Sequence, residues 1–475
     1  MYRFARESLK APRSLMLAAS GAIVASLMLF PAAAGAWSYK EAAEPYAGTT
    51  INILDEVTPL QEAMAKLVPQ FEEETGIDVN YELLNHFDVI SRGQADMLSG
   101  RGAYDAVLLH SAQMGLLLDA DVLLPVDDFL ADSKLTSPDI NLDDFIEPGF
   151  SSALKYGGKQ YGFLTWNYNS VYWARKDLLE HPAEMEAFKA KYGYDLAPAE
   201  TLQQMRDIAE FFTRKKGDML AGATLESDFY GLVMEGIKGG SSFPMAWNNI
   251  LRNFGADIVD ADGKPSFDTP EMVAALTFWA ELWKYGPPGM AEVSLIDVPT
   301  LMGQGVVAQS LAWSDFALGV DREGSSPHAG QFTYRGAPSN ADYSGERSAE
   351  TEPSPIVISR ASKNPEAAYL FLQWMVDAET QKKLAEAMDG AVPSRKSLWE
   401  HPTYKDHPRL ASLFEAMQVS LAAGRSKPRA PKIYEIYDAL GGLVQEVGLG
   451  KVSPEDAARM GQEAMLAICE QCLLD

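Results

Sequence analysis

Past the first 36 residues, apolar side chains first cluster at Ile51, Ile53 and Leu54, a short run that ends on Asp55 and Glu56 and predicts a strand. Thr58 follows as a helix cap, with Pro59 in the first helical position. Leu60, Ala63, Met64, Leu67, Val68 and Phe71 then recur at helical spacing until Gly76 stops the helix, with a kink expected at Pro69. Residues 79–84 predict a second strand, 85–88 (Asn-His-Phe-Asp) a loop, and the stretch up to Gly100 a second helix. Tyr104 to Leu109 predict a buried third strand. Alternating strands and helices at this spacing specify a parallel sheet with right-handed crossovers.

The pattern changes at Tyr156. Gly157 and Gly158 sit where a two-residue hairpin turn belongs, and the aromatic and β-branched run 163–173 predicts a long strand. In its middle, Trp166, Asn167, Tyr168 and Asn169 set flat apolar faces beside amide and hydroxyl groups. That mixture suits a polyhydroxylated ligand, and it is equally compatible with an ordinary sheet strand carrying two asparagines. Further on the chain is mainly helical. Residues 201–216 are amphipathic, and 245–254 form a helix near a polar turn at 239–242. In the helix 270–285, Phe278, Trp279 and Trp283 read as core. Residues 306–311 predict a strand that delivers Trp313 and Asp315 at its carboxyl end. Residues 321–355, rich in Gly, Ser, Pro and charge, read as a long return loop. A helix capped by Asn364 runs through Trp374, and the tail is helical.

Several phrases then carry a resemblance. Gly158-Lys-Gln-Tyr-Gly162 and Tyr172-Trp-Ala-Arg-Lys-Asp-Leu-Leu179 flank the long strand, and Phe71-Glu-Glu-Glu-Thr-Gly-Ile-Asp-Val79 and Tyr104-Asp-Ala-Val-Leu-Leu109 precede it. Leu123-Leu-Pro-Val-Asp-Asp-Phe-Leu130 also precedes it, and the glycine-then-strand segment 302–316 and Gly390-Ala-Val-Pro-Ser-Arg-Lys396 follow it. Together they resemble the bacterial extracellular solute-binding proteins of the sugar type, the receptors that feed ABC importers. One departure is Phe163-Leu-Thr165, where members often carry a proline. The resemblance implies an α/β fold of two lobes joined by three crossings, with a ligand cleft between them. The first lobe is expected to hold residues 37–166 and 346–390, the second, more helical lobe 167–345 and 391–475. At 475 residues the chain is long enough for two cores.

The first 36 residues form a leader. Arg3, Arg6, Lys10 and Arg13 precede an apolar stretch from Leu15 to Phe30, and Ala34-Gly35-Ala36 supplies a small-x-small cleavage signal. Without a cysteine at that site, an unanchored protein exported to the periplasm is expected. The leader carries four basic groups and one acid, so its removal takes the formal charge from −26 to −29. Such a chain is repelled by nucleic acid and anionic lipid.

Catalytic and metal motifs are missing from the sequence. None of the six histidines stands in a His-Glu-x-x-His pair, and neither a Gly-x-Ser-x-Gly elbow nor a phosphate loop occurs. The Asp260–Pro265 turn places proline where a calcium loop needs glycine. Cys469 and Cys472 are too few for a zinc site, and either a local disulfide or two free thiols fits them. No cofactor, metal or catalytic residue is expected.

The candidate site instead gathers strand-end residues from across the chain, since ligands of open α/β sheets sit there and between domains. These are Asp55 and Glu56, His110 and Ser111, Trp166 to Asn169 (with Asn167 and Tyr168 between), Trp247, Trp313, Asp315, Glu352 and Arg395. The reading is a monomeric receptor that delivers a neutral sugar or polyol to the permease subunits of an importer. A cationic solute such as a polyamine, and a secreted carbohydrate hydrolase using two of these carboxylates, are the alternatives.

Overall fold

The computed structural model describes residues 37–238, 245–388 and 390–474. The expected leader (1–36) and the polar turn at 239–242 lie outside them. The first strand runs Thr50–Glu56, and Thr58 caps the helix Pro59–Thr75, its hydroxyl accepting from the Gln61 N–H. Gly76 ends that helix at φ 70°, where a side chain would be strained. Asp78–Leu84 pairs parallel with the first strand, which pairs parallel with Ala106–Leu108. The expected loop at 85–88 is instead a helix start. Asn85 caps the helix His86–Ser99, its side-chain oxygen accepting from the Asp88 N–H.

The organising element is the 13-residue strand Phe163–Arg175. Its first half pairs antiparallel with Ala349–Ser359, which pairs antiparallel with Ala106–Leu108. Its second half pairs antiparallel with Gln309–Trp313 and Phe332–Gly336. The strand also changes cores. Phe163, Leu164 and Trp166 pack with Ile51, Ile53, Phe71 and Phe371, whereas Val171, Tyr172 and Trp173 pack with Trp247, Trp279 and Tyr437. A third cluster, with Leu54, Val107 and Val357, covers the other face of the parallel sheet. Period-two alternation accounts for the split between Ile53 and Leu54. The fold is thus α/β with two lobes, and one continuous sheet path links them.

Residues 321–355 are not a loop. They contain Phe332–Gly336 and the first half of Ala349–Ser359, a strand buried along its whole length. Its composition hid it, since Pro353, Pro355 and three acids between 346 and 352 argue against a central strand. A register shift between Ser354 and Pro355 accommodates the missing N–H groups. Two of the acids are matched by buried cations, Glu350 by Arg252 and Glu352 by Lys427. Asn364 precedes the helix Pro365–Met375 without capping it, its amide donating to the Thr50 carbonyl instead. Phe278 and Trp279 are core, as expected, and Trp283 packs at its margin. Cys469 and Cys472 are joined as a disulfide. Among the described residues no helix is long and apolar enough to cross a membrane.

Candidate functional site

The carboxyl ends of the three parallel strands open onto one side of a cleft of about 560 Å³. Glu56 ends the first strand, His86 follows the second and His110 the third. Tyr168 from the long strand and Glu352 from its neighbour complete that wall, and Thr58 and Asn85 stand at its edge. Facing them are Glu235, Trp313, Asp315, Phe316, Lys427 and Tyr434. Leu295, Ile296, Pro299, Leu318 and Val320 make the rest of the lining largely apolar. The volume and the mix of apolar walls with a few polar groups are those of a small-molecule site.

The charges in the cleft are arranged in linked groups. Burial pushes the Glu56 carboxyl up, but hydrogen bonds from His110 (2.8 Å) and His86 (3.2 Å) outweigh it and hold it at about 2. Glu352 receives the Ser111 N–H at 2.6 Å and pairs with Lys427; burial raises its carboxyl, and the charges of Lys427 and His110 together with the hydrogen bonds from Lys427 and Ser111 outweigh this and lower it. The Lys427 ammonium also stands 5.7 Å from the centre of the Trp313 ring. Glu235 and Asp315 behave differently. Burial pushes both carboxyls up to about 7, although Glu235 accepts from the Trp313 indole and the Met245 N–H. Asp315 keeps one buried oxygen, Oδ1, without a hydrogen-bond partner among the described residues. A polar atom in that state sits ready for a hydroxyl or an ammonium.

Glu56, His110, Tyr168, Trp313, Asp315 and Glu352 therefore line the cleft, and the other expected residues do not. Asp55 points to the opposite face from Glu56, where it is fully buried and accepts from the Tyr81 hydroxyl at 2.6 Å. Ser111 is not among the lining residues, and its N–H donates to Glu352. Trp166 lies one pleat behind Tyr168, ring centres 4.5 Å apart, in the first-lobe core. Asn167 and Asn169 alternate to the other face. Asn167 abuts Gly149, and the Asn169 amide donates to the Met417 carbonyl. Trp247 is packed edge-on against Trp279 in the second-lobe core. Arg395 is a tie rather than a ligand group: buried, it donates to the Val376 and Ile140 carbonyls and pairs with Asp144.

Sequence reading missed His86, Glu235, Lys427 and Tyr434. His86 had a signal, since it stands two residues past Leu84, the end of the second strand, much as Glu56 ends the first. Glu235, Lys427 and Tyr434 had none, because the segments that carry them show no strand-end pattern.

The comparisons agree with this architecture. A curated relative, the erythritol/L-threitol-binding protein of Mycolicibacterium smegmatis, is 21% identical over 74% of this chain and 72% of its own length. A probable amino-acid ABC transporter periplasmic-binding protein of Sinorhizobium fredii is 23% identical over 87% of this chain and 88% of its own. A solved ABC transporter solute-binding protein of Agrobacterium radiobacter, in complex with ribitol, is 25% identical with a TM-score of 0.70, over 89% of this chain and 99% of that one. The model of the bacterial extracellular solute-binding proteins matches residues 55–382. Matched over more than half its length, with the cleft walled by strand ends of both lobes, the chain belongs to the bacterial extracellular solute-binding proteins.

Proposed function

We propose that this chain is the periplasmic receptor of an ABC importer, that it acts as a monomer and not as an enzyme, and that its solute is a neutral polyol or sugar. The carrying observation is the wall built by Trp313 between Glu235 and Asp315. An aromatic face stacks on the C–H side of a polyol, and carboxyls that burial raises to about 7 accept hydrogen bonds from its hydroxyls and, in their protonated fraction, donate to them. The names of two of its relatives, binders of erythritol or L-threitol and of ribitol, point the same way.

In this reading, residues 37–166 with 346–390 form one lobe and 167–345 with 391–475 the other. Core membership supports the crossings: Trp166 and Ala391 pack in the first core, Val171 and Val392 in the second. The middle crossing falls slightly later than 346, since Ala349 still packs in the second core and Ile356 in the first. Closure about these crossings would bury the solute. A cationic solute is the second reading, favoured by the unpartnered Oδ1 of Asp315 beside Glu56 and Glu235.

A thermal-shift screen of tetritols, pentitols, hexitols, sugars, amino acids and polyamines tests the proposal. A polyol or sugar at about 100 times its Kd should stabilise the fold by ~2.7 kcal/mol, and chromatography should return it unchanged. A response confined to amino acids or polyamines refutes the solute class, and hydrolysis of an oligosaccharide refutes the receptor assignment.

A further inference from the structure

Glu56, His86 and His110 do something that neither a polyol site nor the fold requires. They lie 30 and 54 positions apart in sequence, on the ends of three different strands, yet their side chains meet at one point of the cleft wall. The His110 Nε2 is 2.8 Å from Glu56 Oε2, and the His86 Nδ1 is 3.2 Å from Oε1. The two imidazoles stand 4.7 Å apart, centre to centre, at 65° to each other. One donor atom from each residue falls within 4.8 Å of the other two.

We propose that these three residues form a binding site for a divalent transition-metal ion that opens onto the solute cleft. Donors at about 2.0–2.2 Å from a tetrahedral ion lie roughly 3.3 Å from one another. The observed separations are close enough that side-chain rotation alone would admit the ion. Two imidazoles and one carboxylate suit zinc, cobalt, nickel or ferrous iron, whereas calcium and magnesium prefer oxygen alone. Three protein donors leave at least one coordination position for an outside oxygen. All three residues line the cleft, with the Glu56 and His110 side chains only 11% and 10% exposed and His86 28%, so an outside oxygen would reach the ion from the cleft. The supporting layer is in place as well. Asn85 fixes the helix start that carries His86, and the Gln113 side chain accepts from the His110 N–H at 2.9 Å. Joined to the polyol reading, on which this last step rests, the open position would take one or two hydroxyl oxygens of the solute.

The test uses the full exported chain, stripped with a chelator and titrated with cobalt(II) in the absence of solute. One ion per chain should bind, with the visible absorption of a site of low coordination number. His86→Ala and Glu56→Gln should each weaken binding by roughly a hundredfold, since even outer partners of a metal ligand cost about 10–100-fold. His401→Ala, at a histidine far from the cleft in sequence and not among its lining residues, should leave it unchanged. Far-ultraviolet circular dichroism and melting curves check that the variants fold, and His86, the most exposed of the three, provides the variant least able to disturb the fold. The proposal is overturned if stoichiometric cobalt does not bind, or if binding survives both cleft substitutions. Solute affinity with and without zinc is then measured separately. Metal binding without an effect on polyol affinity keeps the site and rejects only its role in holding the solute.

Discussion

Glu235 offers a sharp test of how the cleft handles charge. It is 5% exposed, and burial pushes its carboxyl from 4.5 to about 7, against the pull of Lys427 and hydrogen bonds from the Met245 N–H and the Trp313 indole. In the unfolded chain the group ionises near its ordinary value. Below about pH 4.5 both states carry the proton and nothing is lost. Between about pH 4.5 and 7 the unfolded chain releases its proton while the folded one keeps it, so stability falls with rising pH by about 1.4 kcal/mol per unit. Above about pH 7 both are ionised and the loss is complete, at roughly 3 kcal/mol. Glu235→Gln keeps the shape and the accepting oxygen but cannot ionise. Urea unfolding of the solute-free protein and the variant should therefore coincide near pH 4.5. The variant should gain progressively up to about pH 7 and stay about 3 kcal/mol ahead beyond it. Comparing the two proteins at each pH cancels the other buried carboxyls, Asp315 among them. Parallel stability curves from pH 4.5 to 8, or a variant weaker than its parent at pH 8, would refute the reasoning.

Other substitutions separate cleft from core. Trp313→Ala should reduce solute affinity roughly thirty-fold by calorimetry, from ~2 kcal/mol of lost stacking, while the solute-free melting temperature moves little. Trp247→Ala should do the reverse, costing about 3–5 kcal/mol in urea unfolding because it empties the second-lobe core beside Trp279. Glu350→Ala removes the close partner of the Arg252 guanidinium, 3% exposed and 2.5 Å from Glu350, and leaves it the longer 3.8 Å pairing to Asp257, so a loss of about 3 kcal/mol is expected in the same assay. Gly162→Ala would set a Cβ 2.0 Å from the Ile356 carbonyl oxygen at φ 79°, so expression of folded protein should drop sharply.

How far the sequence reached depends on whether local rules decided the outcome. The βα repeats of the first lobe obey them. Apolar runs, the Thr58 cap, and glycine at 76 are enough to place two strands and a helix to within a residue or two. The Gly157-Gly158 turn is similar, both residues having positive φ as such a hairpin demands. The strand Ala349–Ser359 fails for the opposite reason. Its acids and prolines are tolerated only because Arg252, Lys427 and a register shift, supplied from distant parts of the chain, compensate them. No window of sequence around 350 contains that information. Tertiary pairing, not local preference, makes that segment a strand.

The same division explains the site. Position at a strand's end could be read, and it brought in Glu56, His110 and Trp313. Which face a residue takes could not, and on a strand that is decided by a single step. Asp55 and Glu56 are chemically near-identical neighbours, yet one is sealed behind the sheet with Tyr81 and the other stands between two imidazoles at the cleft. On the long strand the sheet is buried on both faces, so the usual clue of polar-out alternation is lost. Trp166 and the two asparagines are then indistinguishable in sequence from Tyr168. The asparagines take the other face, and what selects Tyr168 over Trp166 on its own face is its distance along the strand. It lies between Trp166, which belongs to the first core, and Val171, which belongs to the second, and only in that interval does the strand pass between lobes. A cleft residue on a crossing strand is therefore defined by where two cores end, a property of the whole chain rather than of any motif within it.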